Sequence, residues 1–287
     1  MKNLLSAKNR LTTIIFIVSV ALGIFLIVAP LVMGKINQAQ SDAIIEAYQK
    51  AANSDTDKYK KDFERADKYN LAITKTIEDN EITKQYNDIL NIRSGIMGYI
   101  EIPRISIRDP IYHGVEEDAL KHGIGHLPST SLPTGGKGNH IALSGHRGLP
   151  SSKLFTDLDR VREGDIILLK IADRKLAYKV YDIEVVDPDY NDGLKIEPDR
   201  DLLTLITCTP YAVNTHRLLV HAERTEYTEE MEGIKKEFTI SESDRILLIA
   251  LGIVAMILAL DIVVILKRRK RERAADQDLS QSKPSPK

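Results

Sequence analysis

One cysteine, Cys208, and no tryptophan occur among 287 residues. A single thiol cannot close an internal disulfide, so any part folded outside a reducing compartment rests on its hydrophobic core, or the thiol is kept for chemistry. The lack of Trp and the presence of only five Phe leave little for an aromatic-lined sugar or base platform. Neither sign of charge is in excess: 40 Lys and Arg against 41 Asp and Glu give a formal net charge of -1. With no basic stripe interleaved with aromatics, nucleic-acid binding has no support. Charge is missing altogether from Leu11 to Gly34, which is about the length an α-helix needs to cross a bilayer.

That run is too long and uniform for a cleaved signal peptide, so a retained signal anchor is expected. A second apolar run, Ile246 to Leu266, is broken only by Asp261 and is followed at once by KRRKRER from Lys267 to Arg273. A charge at the centre of a span costs roughly 2.5 to 3.5 kcal/mol, and less near an end, where Asp261 sits. Lys2, Lys8 and Arg10 precede the first run and the basic cluster follows the second, so both termini are expected to be cytoplasmic. The chain is expected to be a two-pass protein of the cell membrane, with its middle on the extracellular face. It divides into a cytoplasmic N-terminus and signal anchor (1–34), an extracellular helical extension (35–96), a globular domain (97–225), a linker (226–245), a second transmembrane helix (246–266) and a basic cytoplasmic tail (267–287).

Glycine and proline are missing from Ile36 to Leu90, and two helices separated near Asn53 and Ser54 are predicted there. Tyr59, Phe63, Ala66, Tyr69 and Leu71 form a partial apolar stripe on the second, the pattern of a stalk that packs on the domain or lifts it from the bilayer. From Ile96 short apolar runs alternate with Pro and Gly: Gly98 to Pro103, Ile105 to Ile107, Pro110 to His113, Asn139 to Ser144, Asp165 to Ile171 and Lys175 to Val186. This is the pattern of a small barrel or sandwich, mainly β with short helices, one of them at Glu116 to Lys121. The loop Thr134-Gly-Gly-Lys-Gly138 lacks the spacing of a phosphate-binding loop and reads as a turn. Leu203 to Thr207 and Arg217 to Ala222 read as neighbouring antiparallel strands, with Cys208 ending one and Arg217 opening the next.

A cysteine nucleophile needs a base nearby and positive charge where an oxyanion develops. Arg217 supplies permanent charge. Of seven histidines, His146 in SGHRG is best placed, since Gly145 and Gly148 let the backbone turn and hold the ring at a strand end. His216 is second, but it neighbours Arg217 and points to the opposite face of a strand. His140 lies mid-strand and is a candidate core residue, and His122 and His126 flank a Gly-rich loop as candidate surface residues. Zinc needs more ligands than this chain groups together: Cys208 has no companion cysteine, and the glycines between His122 and His126 oppose a shared helix, so no metal and no cofactor are expected. Residue types and spacing leave two readings open, an active thiol and a packed one.

The segment TLITC, Thr204 to Cys208, resembles the signature of sortases, the transpeptidases of Gram-positive cell surfaces. SGHRG around His146 and NTHRLLV around Arg217 resemble that family's His and Arg segments. GYIEIPRISI, PIYHG, GHRGLPSSKLFTDLD and TCTPYAVNTHRLLV are similar in particular to class C, the pilin-polymerising sortases. The resemblance implies an eight-stranded β-barrel flanked by two transmembrane helices, with Cys208 as nucleophile and acyl-thioester carrier, His146 as general acid and base, and Arg217 as stabiliser of the oxyanion or substrate. It implies cleavage of an LPxTG-like sorting signal between Thr and Gly, and transfer of the acyl group to a pilin lysine, or to a cell-wall precursor if single proteins are anchored. Many class C enzymes carry an Asp-Pro-aromatic lid, but Thr76 to Ile96 here contains no proline. A thiol protease, in which water resolves the thioester, and a non-catalytic adhesion or scaffold domain are the remaining alternatives.

Overall fold

The computed structural model describes residues 2–53, 56–74, 84–149, 152–190, 192–233, 249–264 and 267. They fall into two compact units, Met1–Leu31 with Ile240–Lys287, and Val32–Thr239. In the first unit the described residues 2–31 and 249–264 are helical, and apolar side chains such as Ile17, Phe25, Leu26, Ile249 and Leu260 are exposed. Among the described residues no helix is long and apolar enough to cross a membrane. The helical stretch 249–264 alone falls short of the roughly 20 residues a span needs. The structure therefore does not supply the two spans expected from the sequence. Most of the expected linker and, apart from Lys267, the whole basic tail lie outside the described residues.

The second unit is a closed barrel of eight strands. In chain order they are β1 (Ile96–Ile102), β2 (Ile107–His113), β3 (Ile124–His126), β4 (Asn139–Ser144), β5 (Ile166–Ile171), β6 (Arg174–Val186), β7 (Asp201–Thr209) and β8 (His216–Thr225). They close in the order β1-β2-β3-β4-β7-β8-β6-β5, which leaves no free sheet edge. Two neighbour pairs, β2 with β3 and β4 with β7, are parallel and the rest antiparallel. The expected strand at Ile105 to Ile107 is instead a short 3-10 turn, Pro103–Ile105, followed by Ser106 in the left-handed region (φ 54°) and only then β2.

Alternation along the strands sorts the faces. Ile141, Leu143, Leu203, Leu205, Leu218, Val220 and Ala222 belong to the barrel core. The intervening His140, Thr204, Cys208, Arg217 and His221 therefore lie on the outer face of the β4-β7-β8 wall.

Two helices pack on the barrel. The later part of α1 (Lys2–Ala52) buries Ile45 and Tyr48, and α2 (Thr56–Thr74) buries Tyr59, Phe63, Ala66 and Tyr69. Leu71 is 56% exposed, so the stripe read from the sequence continues through Asn70 instead. Asn70 mimics a strand neighbour: its Nδ2 donates to the Leu132 carbonyl (3.0 Å) and its Oδ1 accepts from the Leu132 N–H (2.7 Å). Tyr48 does similar work between β1 and the β5–β6 turn, donating to the Met97 carbonyl (2.9 Å) and accepting from the Ala172 N–H (2.7 Å). These contacts settle the stalk expectation in favour of a packed extension.

The segment before β1 is anchored beside β2 and β3. Tyr86, Ile89 and Leu90 are buried, and the Tyr86 hydroxyl meets His126 Nδ1 at 2.9 Å and accepts from the Gly114 N–H at 3.0 Å. His126 is thus no surface residue: it is fully buried in β3, and its Nε2 donates to the Ser131 carbonyl at 2.9 Å. In place of a loop between His122 and His126, Gly123 caps the helix Glu117–His122 and Ile124 opens β3, and both Gly123 and Gly125 lie so close to the backbone of Pro110 and Gly114 that a Cβ would collide.

Two predictions follow from this packing. Tyr48→Phe leaves the Ala172 N–H and the Met97 carbonyl without their partner and lowers stability by about 1 to 3 kcal/mol in urea unfolding. Burial pushes the His126 imidazole down from 6.5 to about 4. The unfolded chain therefore binds a proton that the folded chain refuses, and the associated stability is complete above about pH 6.5 and lost towards pH 4, about 3 kcal/mol in all. Comparing urea midpoints across that window, His126→Gln has a visibly shallower pH dependence than the wild-type chain.

Candidate active site

The site is built where β7 ends and β8 begins. The two strands run in continuous antiparallel register from Leu202 and Glu223 to Thr209 and His216, and in that register Cys208 is the direct partner of Arg217. Both side chains are half-buried on the outer face. The thiol and the guanidinium thus meet at one rim, as the two apolar runs around them predict. Beyond the rim, the β7–β8 turn closes on itself through the Asn214 N–H to the Pro210 carbonyl (3.0 Å), with Ala212 and Asn214 in the left-handed region.

His146 is brought to the same level by the parallel pairing of β4 with β7. The register runs one-for-one from Asn139 opposite Asp201 to Ser144 opposite Ile206. It continues beyond the strand end: the Gly145 N–H donates to the Ile206 carbonyl (3.0 Å), and Thr207 Oγ1 donates to the Gly145 carbonyl (2.7 Å). On the far side Arg147 Nη1 donates to Thr209 Oγ1 (3.0 Å). His146, half-buried, sits between these two links, beside Cys208 in the extended register.

Several neighbours hold the His146 loop in place. The Phe155 N–H donates to the His146 carbonyl (3.1 Å) and the Gly148 N–H to Thr156 Oγ1 (3.1 Å). Arg147 is buried, forms an ion pair with Asp159, and lies 6.0 Å from the Tyr211 ring centre. Gly145 has no room for a side chain: a Cβ would lie 2.7 Å from Phe155 Cδ2 and 2.8 Å from Ile124 Cδ1. The helix α3 (Glu117–His122) reaches towards the same region. There Glu117 is held below the usual carboxylate range chiefly by its ion pair with Lys121, with a lesser contribution from His146.

The other histidines go elsewhere. His216 is exposed beside Asp187 (3.7 Å). His122 ends α3, and His113 packs against the segment before β1, with the Ile89 carbonyl 2.7 Å from its Nε2. His140 does not face the core; it lies under the β6–β7 connection on the outer face, in contact with Thr204. Sequence reasoning missed Arg147 and Thr207, although both lie inside the segments singled out. Their signal was adjacency to His146 and Cys208, which says nothing of a bridge until the register is known.

A cleft of about 690 Å³ opens at the other end of the barrel, lined by Gly135, Gly136, Lys137, Arg174, Asp201 and Arg224 among others. Seven residue steps along β7 separate Asp201 from Cys208, roughly 23 Å of extended chain, so this cleft is not the site of the thiol. Among the described residues no group of three His, Cys, Asp or Glu side chains is placed to hold a metal ion.

A barrel of this strand order, with one thiol paired across two strands to an arginine and a histidine alongside, has close relatives among known proteins. The sortase domain profile matches residues 100–225. Sortase A of Streptococcus agalactiae is 30% identical over 188 residues, covering 58% of this chain and 75% of that protein. The crystal structure of sortase C1 from Streptococcus agalactiae superposes with a TM-score of 0.62 at 43% identity, covering 65% of this chain and 100% of that one. Sortase C of Clostridium perfringens, solved with the C-terminal cell wall sorting motif, has a TM-score of 0.59 at 45% identity, covering 64% of this chain and 99% of its own. The chain belongs to the sortase family of transpeptidases.

The close packing around Gly145 yields a test of the site's geometry. Gly145→Ala forces Phe155 or Ile124 to shift, costs about 1 to 3 kcal/mol in urea unfolding, and moves the ring resonances of His146 while leaving those of His126 in place.

Proposed function

We propose that this chain is a membrane-anchored cysteine transpeptidase of class C, which joins pilin subunits through isopeptide bonds. The observation that carries the reading is the cross-strand pairing of Cys208 with Arg217, with His146 held beside them. Similarity to two solved class C enzymes supports the class.

In the proposed reaction an LPxTG-like sorting signal lies along the rim. The Cys208 thiolate attacks the Thr carbonyl carbon, the Thr–Gly C–N bond breaks, and the Gly amine leaves with a proton from His146. The Thr acyl group remains on sulfur as a thioester. A pilin lysine amine then attacks that carbonyl, gives a proton to His146 and expels the thiolate, so the enzyme ends as it began. Arg217, cationic throughout, stabilises the oxyanion in both steps or holds the substrate backbone. No cofactor or metal enters the scheme.

Membrane anchoring belongs to the same proposal. The apolar runs Leu11 to Gly34 and Ile246 to Leu266 flank the barrel domain, and basic residues lie on their outer sides. That charge pattern puts both termini in the cytoplasm and the barrel outside the cell. The segment before β1 lacks the Asp-Pro-aromatic sequence, and Tyr86 is committed to His126 and Gly114. We therefore assign no lid of that kind to Cys208.

The test uses the full-length chain in detergent with a pilin carrying an LPxTG-like signal. High-mass polymer forms with the wild-type chain and is absent with Cys208→Ala; polymer that persists in that variant sinks the proposal. Arg217→Ala lowers kcat by roughly 10² to 10³ if the guanidinium faces the oxyanion. Offering a peptidoglycan-type amine in place of the pilin lysine separates wall anchoring from polymerisation, and release of free acid alone marks a thiol protease. Failure of a thiol-reactive probe to label native Cys208 would identify a packed cysteine in a non-catalytic domain.

A further inference from the structure

On the face that carries Cys208 and Arg217, four side chains form a continuous hydrogen-bonded chain. His140 Nδ1 lies 2.7 Å from the Lys195 carbonyl, and His140 Nε2 lies 2.7 Å from Thr204 Oγ1. Thr204 Oγ1 lies 2.9 Å from His221 Nδ1, and His221 Nε2 lies 3.1 Å from Glu184 Oε1. His140, Thr204 and His221 are buried.

A carbonyl only accepts, so His140 Nδ1 carries hydrogen; an ionised carboxylate only accepts, so His221 Nε2 does too. Between them stand two ring nitrogens and one hydroxyl hydrogen. Thr204 can donate to one nitrogen only, and the other must be an N–H donating to the Thr204 oxygen. The four links thus need four hydrogens, whereas two neutral imidazoles, one hydroxyl and an ionised carboxylate supply three: one proton more is needed.

The two rings offer that proton different surroundings. His140 is disfavoured as the cation by burial first of all, while the Lys195 carbonyl works in the other direction and His221 and Arg200 add positive charge against it. His221 has Glu184 as its partner. Facing the pair from β6 are also Tyr181, with its ring 6.1 Å from His221, and Asp182, the strand partner of His221. Glu197 lies near His140 from the connection, and Arg200 is committed to Glu197 and Glu223.

The chain ties down the β6–β7 connection. Lys195 gives its carbonyl, and Gly193 approaches so closely that a Cβ there would lie 3.2 Å from Glu184 Oε1, 3.2 Å from Leu219 Cδ1 and 3.3 Å from His221 Cε1. Leu219 and Ile206 are paired across β8 and β7, one outward-facing step from Arg217 and Cys208. The connection therefore covers the sheet up to the residue pair next to the site.

We propose that His140, Thr204, His221 and Glu184 form a one-proton latch that holds the β6–β7 connection against the Cys208–Arg217 face. The rate-setting part of this proposal rests on reading that face as the site of reaction. When the extra proton leaves, two lone pairs confront each other at one link and the Lys195 end of the connection loosens. These four are positioning residues, acting through the wall they hold rather than on substrate.

The test is on the full-length chain labelled with ¹⁵N histidine. At neutral pH one of the pair His140 and His221 shows both ring nitrogens protonated, and the other shows the neutral Nδ1–H or Nε2–H form that completes the chain; two neutral rings overturn the proposal. Thr204→Val removes this signature and raises amide exchange at 193–195, and Thr204→Ser restores both, which separates the hydroxyl from any general loss of fold. Glu184→Gln moves the loss of the extra proton to lower pH and moves the pH at which exchange at 193–195 rises by the same amount; exchange that ignores the ring titration rejects the latch. These readouts need no substrate, so they stand even if Cys208-dependent transfer fails. Where transfer is seen, Thr204→Val lowers kcat/KM about tenfold, the size expected of one lost hydrogen bond, and an unchanged value and pH profile reject the link between latch and site.

Discussion

The parallel pairing of β4 with β7 is the constraint on which the rest of the site depends. Cys208 and Arg217 are joined by a short turn and would meet in almost any hairpin. His146 has no such local reason to be near them. It arrives because the barrel inserts β4 next to β7 and because the ladder runs past the strand end through Gly145, with Arg147 fastening the far side. A slip of one residue in that ladder would turn His146 to the wrong face and put its neighbours opposite the thiol.

The barrel core fixes that register by burying alternate residues of β4, β7 and β8. The outer face is then free to carry polar groups, and this protein uses the freedom unevenly. At the rim Cys208, His146 and Arg217 stay half-buried and open to a ligand. Lower down, His140, Thr204 and His221 are buried beneath the β6–β7 connection and satisfy one another. Buried polar groups of this kind need every partner supplied, so the same wall that exposes a thiol at one end demands a complete hydrogen-bond chain at the other.

Much of this was legible in the sequence because it is local. Alternating apolar residues marked β4 from Asn139 to Ser144 with its observed ends, and turn residues between Cys208 and Arg217 forecast their pairing. The break between α1 and α2 was marked by Asn53 and Ser54. What the sequence concealed depends on long-range placement. His126 and His140 looked like loop and core residues, since nothing nearby in the chain reveals Ser131 and Tyr86, or Lys195 and Thr204, as their partners. Leu71 was read into the apolar stripe, but the helix turns Asn70 inward, because a side-chain amide can satisfy the Leu132 backbone and a leucine cannot. Ile105 to Ile107 resembled a strand by composition, while Pro103 and the left-handed Ser106 impose a corner.

Strand order has a kinetic consequence. The three residues at the rim come from segments that become neighbours only when β7 is laid between β4 and β8, after β5 and β6 have been made and carried round to the other side. Contacts of such sequence separation form late, because loop-closure entropy has to be met before they contribute. Until the barrel closes, the lone thiol is therefore kept apart from His146. The grouping of Cys208, His146 and Arg217 is a property of the finished barrel, and an incomplete chain does not possess it.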